Sequence, residues 1–475
     1  MKLLSVHLLL VLVLAASSFR FSASPVTEPD PAWVKQVGAH SRPTSHALFS
    51  ATKYGAVGDG VTLNTQALQK AIDAAARKGG IVTLAPGRYL TGSLFLKKGV
   101  ELHLAKGVTL LGSQNLNDYP EIMTRVAGIE MKWPAALLNV LDQDNVAITG
   151  EGTVDGQGQP FWDKYWALRK EYEAKGLRWI VDYDAQRPRL LLVSNASNVT
   201  LQGLTLQRSG FWTVHVLYSK NVTVDGIVVR NNLGGHGPST DGIDIDSSAY
   251  VLVQNCDIDC NDDNFCLKAG RDADGLRVNR PCEYVLIQHC VAGAGGGLLT
   301  CGSETSGSIR HIIARHLRAK GTKNGIQLKS ATNRGGTVED ILVEDIELDA
   351  VRVPLTITMN WNPAYSYSEL PVGYTQATLP AHWKAMLTPV AAEKGLPHFR
   401  NVRISNLQAI GAQTAISASG VATSLLDDFR LTNVHISAIK AGAIDFAQNW
   451  QFTNVKVETP DNMPVAVKNS VGVRL

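Results

Sequence analysis

Along most of this chain, apolar and polar residues alternate in short bursts that restart again and again. SNVTLQGLTL from Ser197, KNVTVDGIVV from Lys220, AYVLVQNCDI from Ala249, EYVLIQHCVA from Glu283, RHIIARHLRA from Arg310 and EDILVEDIEL from Glu339 are variants of one unit. Each reads as a strand, a polar or glycine corner and a second strand, and related units begin at Asp144, Arg400, Asp428 and Trp450. Alternation such as Val222 and Val224 against Thr223 and Asp225 sends every second side chain inward. Matching positions Val199, Val222, Val251, Val285, Ile312 and Ile341 are spaced by 23, 29, 34, 27 and 29 residues. Stacked coils absorb loops of unequal length at their corners, whereas propeller blades demand a more regular repeat. The pattern predicts an all-β solenoid, a parallel β-helix around a continuous Val/Ile/Leu core.

An open end of such a stack exposes unpaired backbone and must be covered. NTQALQKAIDAAARKGG supplies a short amino-terminal capping helix. Asn64 stands as its N-cap, Ala67, Leu68, Ala71, Ile72 and Ala75 form one stripe, and Gly79 ends it. Two stretches, 156–189 and 360–397, depart from the repeat and are rich in aromatic residues; long loops on a rigid solenoid commonly wall a binding cleft. The first residues, MKLLSVHLLLVLVLAASS, have the layout of a signal peptide. The expected organisation is therefore a signal peptide over residues 1–17, an amino-terminal arm over 18–43 and a single β-helix catalytic domain over 44–475. No later segment has the roughly 20 apolar residues of a membrane span, so a soluble protein, secreted or periplasmic, is expected.

Composition narrows the class further. With 45% hydrophobic and 18% charged residues the chain is not a disordered one, and a formal charge of +3 predicts no dedicated nucleic-acid surface. All six cysteines fall between Cys256 and Cys301, without paired CxxC metal spacing. Cys256 and Cys290 occupy the same phase of successive repeats, which predicts an inward ladder of small apolar side chains. A disulfide from Cys256 to Cys282 or Cys290 stays open. The sequons at Asn195, Asn198 and Asn221 fall at repeat corners and read as turn residues.

The chemistry-bearing residues are Asp241 in PSTDGIDIDSS and the adjacent Asp262 and Asp263 in NDDNFCLKAG. If the 21 residues from Asp241 to Asp262 make one coil, the three carboxylates lie side by side at about the 4.8 Å spacing of paired strands. Like charges at that distance raise one another's pKa, a cost that suits acid/base hydrolysis of a glycosidic bond. Asp244 and Asp246, in the same run as Asp241, read as structural.

The order of motifs resembles that of glycoside hydrolase family 28, the polygalacturonase-like enzymes. YGAVGDG from Tyr54, GGIVTLAPGRYLTGSLFLKKGVELHLAKGVTLLGS up to Ser113, DGQG from Asp155, the two acid motifs, GSETSG from Gly302 and GIQLKS from Gly325 carry the similarity. The resemblance implies a right-handed parallel β-helix and inverting cleavage of a pectic polysaccharide or oligosaccharide; repulsion among the three acids supplies the protonated and the ionised carboxyl without a metal, no cofactor is expected, and the protein is expected to be a monomer. By the same carry-over Asp262 is the general acid, while Asp241 and Asp263 act as base on the attacking water. Three positions depart from the family pattern. Gly296 stands where the family has a histidine, Gln327 replaces the arginine of an Arg-Ile-Lys motif that keeps its Lys329, and Ser239 replaces an asparagine. Candidate substrate contacts are Lys329, Gln327, Ser239, Lys268 and His236, with Arg271 and Arg334 as further cations that could meet an acidic sugar. Two alternatives stay open: a β-helix pectate lyase using Ca²⁺, and a non-catalytic carbohydrate-binding β-helix.

Overall fold

Val146, Val199, Val222, Val251, Val285, Ile312, Ile341, Val402 and Phe429 lie in one column, each paired to the next through parallel strands. All nine are buried, so the repeat offsets read from the sequence are the coil lengths themselves. The computed structural model describes residues 29–474, and the expected signal peptide lies outside them. One body begins at Trp33. In it, 32 strands make a single parallel sheet system wound as a right-handed β-helix. Each fully buried Val, Ile or Leu contributes roughly 1.5–3 kcal/mol, and the column repeats this in every coil.

The corners explain the polar positions. Asn145, Asn198, Asn221, Tyr250, Tyr284, His311, Asp340, Asn401 and Asp428 form a second column, all left-handed with φ between 50° and 59°. Asn and Asp tolerate that conformation because their short side chains bond locally, so Asn198 and Asn221 are turn residues, as is Asn195 at φ 51°. Tyr250, Tyr284 and His311 offset the strain by stacking, with ring centroids 4.9 Å apart at each step. The arm from Trp33 runs along these corners: His40 N donates to Asn198 Oδ1 at 3.0 Å, and Trp33 meets the ring of Tyr284 at 5.7 Å.

The helix Thr65–Ala76 buries Leu68, Ala71, Ile72 and Ala75. Asn64 precedes it but makes no side-chain cap. Its amide instead brackets the preceding loop, accepting from Val57 N at 2.7 Å and donating to Thr62 O at 2.6 Å. All six cysteines are free and buried; Cys256 N donates to Cys290 Sγ at 3.4 Å, one rung of the ladder. Among the described residues no helix is long and apolar enough to cross a membrane. The insertions 156–189 and 360–397 pack against each other and against an antiparallel hairpin, Glu121–Val126 with Ile129–Pro134, through Trp133, Trp179, Tyr183 and Trp383. Most of their aromatic rings are thus core, and the cleft takes only a few of them.

Candidate active site

The site is built on consecutive strands of one face of the β-helix. Strands Val214–Leu217, Ile243–Asp246, Phe265–Lys268, Gly297–Cys301 and Asn324–Lys329 pair in that order. Their inward residues, such as Val216, Ile245, Leu267, Cys301 and Leu328, belong to the core. Alternation therefore turns His215, Asp244, Cys266, Thr300 and Gln327 to the other side as one row. The register between the second and third strands is 22 residues, Asp244 to Cys266, and Gly242 N donates to Asp263 O at 2.9 Å. Asp263 rather than Asp262 is therefore the coil neighbour of Asp241, one residue away from the 21-residue coil expected from the sequence. The three acids still converge: one oxygen from each of Asp241, Asp262 and Asp263 lies within 4.8 Å of the others.

They line one open cleft together with Ser239, Lys268, Lys329 and Glu304. Lys329 Nζ lies 2.7 Å from Asp263 Oδ2 and 4.5 Å above the ring of Trp361. Lys268 Nζ sits among Asp241 at 3.6 Å, Asp244 at 3.5 Å and Glu304 at 3.5 Å, over the ring of Trp212 at 4.6 Å. Five carboxyl groups thus crowd two ammonium groups, and the cluster cannot be fully ionised at neutral pH without a large repulsive cost. Burial, reinforced by repulsion from Asp244 and Asp262, raises Asp241 well above the ordinary 3.8. Burial and the charge of Asp263 raise Asp262. Asp263 goes the other way: its burial is outweighed by Lys329 and Lys268 and by hydrogen bonds from Lys329 and Thr300. Adjacent residues of the bend that leads into the strand Phe265–Lys268 are therefore pushed apart, Asp262 toward holding a proton and Asp263 toward losing one.

The glycine at 296 has a steric reason. A Cβ there would lie 2.9 Å from Asp263 Oδ1 and 3.2 Å from Asp262 Oδ1, so bare backbone backs directly onto the acid pair. Gly296 N donates to Asp262 O at 2.7 Å and its carbonyl accepts from Asn324 N at 2.8 Å. The histidine suggested by the resemblance would have to displace the carboxylates.

Other expected contacts are redistributed. Ser239 lines the cleft and donates to Asp182 Oδ1 at 3.0 Å. Gln327 is buried in the outward row, where Oε1 accepts from Thr300 Oγ1 at 3.3 Å; it is not among the cleft-lining residues. His236 is exposed on a loop and stacked on Trp166 at 5.6 Å, also away from the cleft lining. Arg271 and Arg334 are fully buried and cannot meet a sugar. Both bond Asp272, and Arg271 also donates to Tyr183 Oη and to the carbonyl of Tyr365, tying the two insertions to the coil. Trp212, Trp361, Tyr365, Arg178, Asp182 and Glu304 were not singled out from the sequence; they reach the cleft from insertions and strand ends, where no periodic signal marks them.

Asp244 and Asp246 separate in character. Asp246 is structural: Arg125 Nη1 donates to it at 2.8 Å, and buried, neutral His215, depressed to about 4 mainly by burial, faces it at 3.5 Å. Asp244 is fully buried, and neither of its carboxylate oxygens meets a hydrogen-bond partner. Burial, opposed by Lys268 and reinforced by Asp263 and Glu304, raises it from 3.8 to about 8. Because the folded state keeps a proton that the unfolded chain releases, stability falls as pH rises between those values. Asp244→Asn is expected to leave the melting temperature little changed near pH 4 and to raise it by about 1–3 °C at pH 8. Melts at both pH values check this; an equal shift at each would show that Asp244 does not titrate across the window.

The profile of glycosyl hydrolases family 28 matches residues 92–372, and that of rhamnogalacturonase A/epimerase, pectate lyase-like, matches residues 48–129. A probable polygalacturonase from Vitis vinifera is 30% identical over 324 residues, 66% of this chain and 63% of the grape protein, so the chain spans less than two thirds of that relative's length. An exo-poly-alpha-D-galacturonosidase from Dickeya chrysanthemi is 25% identical over 448 residues, 86% of this chain and 70% of its own. Among solved structures, a hyperthermoactive exopolygalacturonase from Thermotoga maritima superposes with a TM-score of 0.71 at 26% identity, covering 89% of this chain and 94% of that one. With the family profile spanning more than half of its length, over the coils that carry the three converging acids, this chain belongs to glycosyl hydrolases family 28.

Proposed function

We propose that the protein is an exported hydrolase of glycosidic bonds in a pectic polysaccharide or oligosaccharide containing galacturonate. The observation that carries this reading is the convergence of Asp241, Asp262 and Asp263 in one cleft, where burial and Asp263 push the Asp262 carboxyl up and Lys329 draws Asp263 down. Hydrolysis needs one carboxyl to protonate the leaving oxygen and one carboxylate to take a proton from water. Asp262 is the general acid. Asp263, held ionised by Lys329, is the base, and Asp241 holds the same water. A water donating hydrogen bonds of about 2.7 Å to the Asp263 carboxylate and to the carbonyl oxygen of the Asp241 carboxyl keeps those oxygens about 4.3 Å apart, within the 4.8 Å that bounds the cluster. The leader-like first residues and the relatives' pectic substrates support export and the substrate class.

The lyase alternative is disfavoured by the same cleft. The oxygens of Asp241, Asp262 and Asp263 are close enough to share a cation, but a calcium ion there would lie beside two buried ammonium groups, one of them 2.7 Å from Asp263. A second reading within the hydrolases is double displacement through a glycosyl-enzyme, which places acid and nucleophile about 5–5.5 Å apart rather than the roughly 6.5–9.5 Å of most inverting glycosidases; the anomer of the product decides between them.

The test is digestion of pectic oligosaccharides, followed by mass spectrometry and early-time NMR. Saturated products released in the presence of EDTA, with the anomer opposite to that of the substrate, are expected. An unsaturated, ultraviolet-absorbing product that requires Ca²⁺ would establish the lyase instead, and a retained anomer would establish the double displacement.

A further inference from the structure

We infer that Arg178, carried by the insertion 156–189, binds a sugar carboxylate in the cleft and sets the preference for unesterified galacturonate. The inference rests on the pectic hydrolase reading above and adds the residue that would recognise the acid group.

Charge bookkeeping around the cleft leads to it. Three cationic side chains line the cavity: Lys268, Lys329 and Arg178. Lys268 faces three carboxyl groups and Lys329 is paired with Asp263. Neither has charge to spare for an anionic ligand. Arg178 differs because its carboxylate partner is shared. Its Nη1 donates to Asp182 Oδ2 at 2.8 Å, while Arg187 Nη2 approaches Asp182 Oδ1 at 3.2 Å. Two guanidinium groups on one carboxylate leave a net positive charge. Glu173, 3.7 Å from Arg178 Nε, is already bonded by Arg169 at 2.8 Å.

Geometry assigns that surplus to Arg178. Arg187 is fully buried, between the rings of Tyr165 and Phe211 at 4.4 and 4.3 Å. Arg178 keeps 15% of its side chain exposed at the cleft wall and lies 5.0 Å over the ring of Tyr365. Among the described residues its Nη2 makes no hydrogen bond. Asp182 holds the other edge of the guanidinium, and Ser239 Oγ and Tyr365 fix the carboxylate and the plane. What remains is the Nη2 edge of the guanidinium, on a side chain that lines the same cleft as Asp241, Asp262 and Asp263. Such an edge takes a planar carboxylate, and converting that carboxylate to a methyl ester removes the charge it pairs with.

The experiment compares wild type, Arg178→Gln and Arg178→Lys on an oligogalacturonide and on its methyl ester. Kinetics give kcat and KM, and calorimetry with each protein carrying Asp262→Asn in addition gives binding of each oligomer without turnover. Arg178→Gln is expected to lower the preference for the free acid over the ester by about 10- to 100-fold, carried by KM and by the binding constant. Arg178→Lys, with charge but no fork, should fall between. Equal losses on acid and ester, or no loss on either, would overturn the inference. If wild type binds the free acid but cleaves nothing, the hydrolase reading fails while the binding contrast still decides Arg178. If it binds neither oligomer, both fall. Arg178→Lys covers the case in which Arg178→Gln fails to fold.

Discussion

Asp262→Asn is expected to lower hydrolysis of a pectic oligosaccharide by about 10²–10⁴-fold, the usual contribution of a positioned general acid, without unfolding the protein. The carboxyl of Asp262 is raised by burial and by Asp263 one residue away. A carboxyl raised in the folded state costs stability as pH rises through its folded value. An amide of the same shape removes that cost, so the melting temperature should stay level or rise by about a degree at neutral pH. Product assays and melts on the same preparation check both halves. Turnover close to wild type would remove Asp262 from the chemistry, and a collapse of the melt would make its role structural.

Lys329→Met should be the more damaging change to the fold and nearly as damaging to turnover. The ammonium is 2.7 Å from Asp263, with side-chain exposures of 7% and 3%. Removing one partner of a buried pair strands the other, at a cost of about 3–5 kcal/mol. The sign follows from Asp263, whose pKa is depressed in the folded protein. Its stabilising contribution is present above the unfolded 3.8 and is lost as pH falls through the lower folded value. The destabilisation by Lys329→Met is therefore largest above pH 3.8 and shrinks in stronger acid. Without the ammonium Asp263 holds its proton, so the acid limb of kcat/KM should move upward. Activity in the acid range should drop by about 10²-fold or more. A pH–rate profile whose acid limb is unmoved would show that Asp263 is not the base.

Much of this architecture was legible because coil repeats are local. The column from Val199 to Ile341 was read from alternation and spacing, since a period-2 pattern specifies which face is core whatever the loop lengths. Asn195, Asn198 and Asn221 were legible as turn residues too, whereas the left-handed corners at Tyr250, Tyr284 and His311 carry no such signal in their letters. Convergence of Asp241, Asp262 and Asp263 followed from the coil length to within one residue. The error of one arose because the loop that closes the coil has no pattern to count.

What the sequence by itself determined is therefore the solenoid, its core face and the three acids on one side of it, because all three depend on separations along the chain. Only the tertiary structure decided the electrostatics. Lys329 binds Asp263 across 66 residues, Gly296 lets bare backbone meet the acid pair, and buried Asp244 is left without a hydrogen bond. Arg178 reaches the cleft on an insertion, while Arg271 and Arg334, equally basic in the sequence, are consumed inside the wall. A side chain's charge can be read from its letter, but its pKa and its availability depend on burial and on partners that folding alone brings within a few ångströms.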